Sequence, residues 1–107
     1  MKYKVSLSPE AVSDLIEIKR YISEELENLA SAERTIATIM SRLRQLEEFP
    51  YSGASLSSKI AVDTGYRYLV CGKYLAFYIV GKNDVVVDRV LYGARDYLRT
   101  LFGELTE

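Results

Sequence analysis

The 107-residue chain has no histidine and no tryptophan, one cysteine and two prolines. Without imidazole there can be no Ser-His-Asp or Cys-His nucleophile system. A general base would have to be a tyrosine, a lysine or a carboxylate with a shifted pKa. Cys71 alone can build neither an internal disulfide nor a zinc site, and its setting in LVCGKY is that of a packed strand residue. No GKS or GKT phosphate loop occurs, so neither a cofactor nor a metal is expected. Nowhere do about 18 apolar residues follow one another, and MKYKVSLSPEA lacks the apolar run of a secretion signal. These absences predict a soluble, cytoplasmic protein with no membrane association.

A strong charge of either sign is also missing, since the net charge is −1. The signs are nevertheless uneven. Residues 1–58 hold seven Lys/Arg against nine Asp/Glu, and residues 59–99 hold seven against four, a local balance of +3. That suits one modest positive face and falls short of the basic excess with which general nucleic-acid binders neutralise phosphates.

What is present is enough apolar residue, 49%, to close one core, and the length predicts a single domain over 1–107. Tyr3, Val5 and Leu7 alternate with polar residues as in a half-buried strand. Ser8-Pro9-Glu10 then offers a capping hydroxyl, a first-turn proline and an acid at the positive end of a helix. The first helix has the apolar stripe Ala11, Leu15, Ile18, Ile22, Leu26, Leu29. After a bend at 28–31, with Ser31 as the cap, a second helix follows with Ala32, Ile36, Ile39, Leu43 and Leu46 in line, and Phe49-Pro50 ends it. Helices joined so briefly should form an antiparallel hairpin.

Residues 51–63 are serine-rich and aperiodic, which predicts a surface loop. From Gly65 onward, GYRYLVCG, KYLAFYIVG and DVVVDRVLYG predict a three-stranded antiparallel meander. β-Branched residues fill both parities of 85–90, so periodicity alone leaves the buried face open, while Asp88 and Arg89 should point to opposite sides. Ala94 to Leu105 predicts a last short helix touching the rest through Tyr97, Leu98, Leu101 and Phe102. The predicted class is α+β, order β-α-α-β-β-β-α, with the helical hairpin on a small, mostly antiparallel sheet.

In that order YKVSLSPEAVSDLIEIKRYI, EEFPYSG, GYRYLVCGKYLAFYIV and VVVDRVLYGARDYLRTLF resemble the RelE/ParE superfamily, toxins of type II toxin–antitoxin systems often called plasmid stabilisation proteins. The resemblance runs nearly end to end. It implies a cytoplasmic toxin held inactive by a small cognate antitoxin encoded beside it. RelE-like members cut messenger RNA on the translating ribosome without metal; ParE-like members bind and poison DNA gyrase.

For the RelE-like reading, the resemblance places Arg67 and Arg95 at the phosphate and Tyr92, where many relatives have histidine, or Tyr97 at proton transfer. For the ParE-like reading, Arg67, Lys73, Arg89 and Arg95 would meet the acids of an antitoxin or a target. The slight negative charge, the missing histidine and CGKYLAFYIV favour the ParE-like branch, which acts by binding. The alternatives are a ribosome-dependent endonuclease and a non-toxic member that only binds antitoxin. Each candidate also has a plainer role: Arg67 as a strand arginine, Arg95 paired with Asp96, and the tyrosines as half-buried sheet residues. Apolar helix surface left over from the core would favour a homodimer or a hetero-oligomer with antitoxin.

Overall fold

The computed structural model describes residues 2–58, 64–93 and 97–102. Lys4–Leu7 forms β1, with Val5 and Leu7 packed against the main core. Ser8 opens helix α1 (Pro9–Arg20), its hydroxyl accepting from the Ala11 N–H at 3.0 Å and donating to the Asp88 carbonyl at 2.6 Å. One side chain therefore satisfies a helix end and ties it to a strand 80 residues away in sequence.

The end of α1 differs from a regular amphipathic helix. It closes in one π-helical turn, Tyr21–Glu25, with the Leu26 N–H bonded to the Tyr21 carbonyl and the Asn28 N–H to the Ile22 carbonyl, each at 3.2 Å. Glu27 follows at φ +52°, in the left-handed region that side chains other than glycine rarely occupy. Ile22 stays in the core, but Leu26 and Leu29 are 56% and 57% exposed, so the predicted stripe stops one turn early. The predicted Ser31 cap is also corrected. Asn28 caps helix α2 (Leu29–Arg44), its side-chain oxygen accepting from the Ser31 N–H at 2.9 Å. An asparagine just outside the helix can reach back to that N–H; Ser31, already inside, is the donor.

The hairpin lies on one face of a five-stranded sheet ordered β1-β5-β4-β3-β2, where β2 is Ala54–Ser55, β3 Arg67–Cys71, β4 Tyr74–Val80 and β5 Asp84–Tyr92. β3, β4 and β5 form the antiparallel meander, and β1 adds to it in parallel, Lys4 opposite Asp84 through Leu7 opposite Val87. Gly72 supplies the positive φ, +65°, that the β3–β4 turn needs. The β4–β5 register steps from Phe77 opposite Arg89 to Tyr78 opposite Val87, so Asp88 is the extra residue of a β-bulge. The bulge resets the face. Val85, Val87 and Val90 all enter the helix-side core, which explains why both parities carried valine.

The second face has its own cluster. Leu56, Phe77 and Leu91 are buried there beneath Tyr66, Tyr68, Leu75 and helix α3 (Tyr97–Phe102), with the Phe77 and Tyr97 rings 5.1 Å apart and Phe102 edge-on to Tyr66 at 5.6 Å. Of the predicted helix contacts, Tyr97, Leu101 and Phe102 take part; the side chain of Leu98 lies outside the described residues.

The predicted loop at 51–63 is corrected over its first half. Ala54–Ser55 pairs with β3, and Leu56 is fully buried. Gly53 makes the close approach: a Cβ there would lie 2.6 Å from the Tyr78 hydroxyl and 3.0 Å from the Tyr68 carbonyl carbon. Its N–H instead donates to the buried Tyr78 hydroxyl at 3.0 Å. The serine-rich composition hid a segment fixed mainly by backbone groups. Residues 59–63 lie outside the described residues.

Candidate functional site

Three of the predicted cations can be followed in the structure, and two of them are committed inside the fold. The Arg67 guanidinium donates from Nη2 to the carbonyls of Tyr51 (3.0 Å) and Gly53 (2.6 Å) and sits over the Tyr51 ring, 5.2 Å from its centre. Arg89 donates from Nε and Nη2 to the two carboxylate oxygens of Asp14 on α1, at 2.7 and 2.8 Å. The same carboxylate accepts the Val90 N–H at 2.9 Å, so Asp14 holds the bulged end of β5 to the first helix. Lys73, in the β3–β4 turn, is exposed, and its side chain has no ion-pair or hydrogen-bond partner among the described residues. Arg95 lies outside the described residues.

Among the described residues, the nuclease candidates Arg67, Tyr92 and Tyr97 lie apart. Arg67 sits opposite Tyr78 on β4, whereas Tyr92 sits opposite Tyr74, four residues along the same strand. At about 3.3 Å per residue that separation is roughly 13 Å before the strand spacing is added. Tyr97 packs on Phe77 in the second cluster, on the sheet face away from the hairpin. Arg67 is thus set well apart from Tyr92 along the sheet and across the sheet from Tyr97, the two alternatives for proton transfer, and the second phosphate cation, Arg95, lies outside the described residues.

Tyr92 belongs instead to a groove of about 900 Å³ between the tip of the hairpin and the ends of β4 and β5. Its strand side holds Lys73, Tyr74 and Tyr92, and its helix side Ile18, Tyr21, Leu26 and Arg34. Tyr74 and Tyr92 meet edge to face, centroids 5.8 Å apart. Burial raises the Tyr74 phenol above its ordinary pKa, with Tyr92 and then Tyr21 adding to the effect. Tyr74 is therefore held neutral, and the paired rings of Tyr74 and Tyr92 offer amphipathic surfaces that can take both apolar and hydrogen-bonding groups. Cys71 lines the groove, but its thiol is pushed up to about 11, chiefly by burial and slightly opposed by Arg42, which makes it a poor nucleophile. Among the described residues no three Cys, Asp or Glu side chains converge as metal ligands would.

A family model described as the ParE toxin of type II toxin-antitoxin systems, parDE, matches residues 5–97. The chain belongs to the ParE toxin family. A solved structure, the chromosomal ParDE TA system from P. aeruginosa, matches this ParE-family chain with a TM-score of 0.71 and 18% sequence identity, covering 84% of this chain and 95% of that one. At that identity the likeness concerns the fold, which is α+β with a helical hairpin on a mostly antiparallel sheet. No curated protein matches the chain.

Within this ParE-type fold the groove holds Tyr92, expected from the sequence as a proton-transfer residue, and Lys73, expected as a contact cation; Tyr21, Arg34 and Tyr74 on its walls, and Asp14, were not expected. Tyr74 stood in the stretch GYRYLVCGKYLAFYIV, where the turn at Gly72-Lys73 could have marked it as a neighbour of Lys73. Arg34 gave no signal, because one arginine on the polar side of a helix resembles any other.

Proposed function

We propose that this chain, folding as one domain over 1–107, is a ParE-like toxin that acts in the cytoplasm by binding a macromolecular target such as DNA gyrase, and that a cognate antitoxin neutralises it by direct contact. Membership of the ParE toxin family supports the toxin half of this reading. The observation that supports binding over RNA cleavage is the dispersal of the cleavage candidates among the described residues: Arg67 in the loop carbonyls, Tyr92 in the groove, Tyr97 on the far face. Metal-free cleavage needs acid, base and cation around one phosphate. Without that convergence, Lys73, Tyr74 and Tyr92 act as contact residues, Arg67 and Arg89 act within the fold, and Arg95 is a further contact candidate. Among the described residues no helix is long and apolar enough to cross a membrane.

The test is induced expression without the antitoxin, with two readouts on the same cells. Growth arrest with gyrase-trapped DNA breaks and intact messages is the expected result. Codon-internal cleavage of translated messages by primer extension would replace this reading with the RelE-like endonuclease. Normal growth with folded protein present would reduce the chain to an antitoxin-binding member without toxicity.

A further inference from the structure

β1 closes one side of the sheet, and among the described residues no strand pairs with its outer edge. The N–H groups of Lys4 and Ser8 donate inward, to the carbonyls of Asn83 and Val87, so the even residues are spent within the sheet. The main-chain groups of Val5 and Leu7 therefore point outward, whereas the Tyr3 N–H, at the same edge, is already taken by the Glu47 carbonyl at 2.8 Å. What stays open is a donor–acceptor pattern centred on Ser6. A second copy of β1 satisfies it completely. With a two-fold axis at Ser6, Val5 exchanges both main-chain hydrogen bonds with the partner's Leu7, and Leu7 does the same with the partner's Val5.

The surfaces beside the edge match under the same axis. Val12 and Ile16, 44% and 64% exposed, stand on the side of α1 away from Asp14, Ile18 and Tyr21, which line the groove over β3, β4 and β5; they consequently flank β1. Phe49, 63% exposed, ends the turn that Glu47 fastens to Tyr3, at the start of the edge. The axis carries the start of one copy's edge to the end of the other's, so Phe49 comes to the partner's Ile16, and by symmetry the contact is made twice. Lys2 likewise comes level with the partner's Glu10. Both are exposed, and neither has an ion-pair or hydrogen-bond partner among the described residues. Lys4 falls opposite the partner's Ser8 and meets no like charge. Backbone, apolar patches and charges all suit a copy of this chain, whereas an unrelated extended segment would satisfy the backbone alone.

We propose that the free chain self-associates through β1, two sheets joining edge to edge into one continuous sheet about an axis at Ser6. Both grooves stay open, because their walls lie on the other side of α1. So short a strand joint lies at the low end of specific interfaces, and association in the range of roughly 10–100 µM is expected. The inference concerns the chain alone and does not depend on the toxin reading.

Sedimentation velocity on the full chain, from about 5 to 200 µM, measures the association, after the circular dichroism and melting of each variant have been compared with wild type. Ser6 is exposed and its side chain takes no part in the core, so replacements there test the joint rather than the fold. Across the axis it faces its own copy in a non-hydrogen-bonded pair, with Cα atoms about 4.5 Å apart, a separation that a disulfide spans. The wild-type chain is expected to double in mass as concentration rises. Ser6→Lys and Ser6→Glu should each weaken the dimer by roughly fivefold or more, and mixing the two in equal amounts should restore it. Ser6→Cys should give a disulfide-linked dimer under mild oxidation, while Thr38→Cys, exposed in the groove, should not. Should the charged variants fail to fold, the cysteine pair decides. A monomer over the whole range, a dimer indifferent to charge at position 6, or equal cross-linking from position 38 overturns the inference and leaves the toxin reading in place. A monomeric chain whose position-6 cysteine is shielded from thiol labelling only by the product of the adjacent reading frame would likewise overturn it, giving the edge to that partner.

Discussion

Asp14 does three things with one carboxylate: it accepts two guanidinium N–H groups of Arg89 and the backbone N–H of Val90. The side chains of Asp14 and Arg89 are 12% and 22% exposed, which places the pair between a surface bridge and a buried one. Exposed pairs contribute at most about 1 kcal/mol, whereas removing one partner of a buried pair costs about 3–5 kcal/mol because a charge is left uncompensated. Asp14→Ala is expected to cost about 2–3 kcal/mol in denaturant titration, since Val90 also loses its acceptor beside the bulge. The double variant with Arg89→Ala should fall short of the summed single losses by at least about 1 kcal/mol. A coupling near zero would reclassify the pair as an ordinary surface contact and free Arg89 for a partner. Cys71 gives a second prediction at this scale. Its thiol is raised from 9.0 to about 11, and the Tyr66 phenol, buried and bonded to Asp88, from 10.0 to about 12. Both groups are held neutral by the fold, so their contribution is complete below the unfolded pKa and is lost as pH rises through the folded one. Stability should therefore decline from pH 9 to 11 through Cys71 and from pH 10 to 12 through Tyr66. For the thiol, which is 1% exposed, the loss is on the order of 2 kcal/mol. Chemical denaturation at pH 8, 9, 10 and 11 checks this, because Cys71→Ala should remove the lower part of the slope while Tyr66→Phe leaves that part intact.

Among the elements, the segment from Tyr51 to Ser58 is the one whose behaviour departs most from its composition. It is pinned at three places: Gly53 under the Tyr78 hydroxyl, Leu56 in the second core, and the carbonyls of Tyr51 and Gly53 on Arg67. Two charge-assisted hydrogen bonds and a stacked ring make Arg67 the fastener of this segment. Arg67→Ala is expected to destabilise the fold by about 1–2 kcal/mol and to raise hydrogen exchange first in residues 51–56, with β4 and β5 unchanged. Uniform loss of protection, or none, would argue against that local role. This element also shows what sequence periodicity could and could not convey. The two helices and the meander were legible because their apolar spacing is local and long enough to repeat, and the class and element order followed. The two-residue strand, the bulge at Asp88 and the π turn were not, since each is a single-residue departure from a repeat and is fixed by packing. The candidate site was legible only as a neighbourhood. Lys73 and Tyr92 do share the groove, but Arg89 was offered as a docking cation because its partner is 75 residues earlier in the chain, a separation no local pattern crosses.

At the scale of the molecule, two of the cations that give residues 59–99 their excess are, among the described residues, turned inward by the fold. Residues 59–99 carry an excess of +3, yet the Arg89 charge is neutralised by Asp14 and the Arg67 guanidinium is turned toward carbonyls of its own chain. What is left on the groove among the described residues, the unpaired Arg34 and Lys73, is too little to hold a phosphate backbone, whose binding grows with each phosphate neutralised. A nucleic-acid enzyme working alone would need the larger patch. The free chain should therefore show no saturable binding to a fluorescent single-stranded RNA or a DNA duplex below about 100 µM at about 150 mM salt, the weak limit of non-specific binding. Fluorescence anisotropy measures this directly, and repeating it at lower salt gives the number of phosphates engaged. Two phosphates or fewer on duplex DNA correspond to a slope of log affinity against log salt shallower than about −2. Micromolar binding with a slope steeper than about −4 would reveal a basic surface that the groove does not supply, and would return RNA to the front as the target.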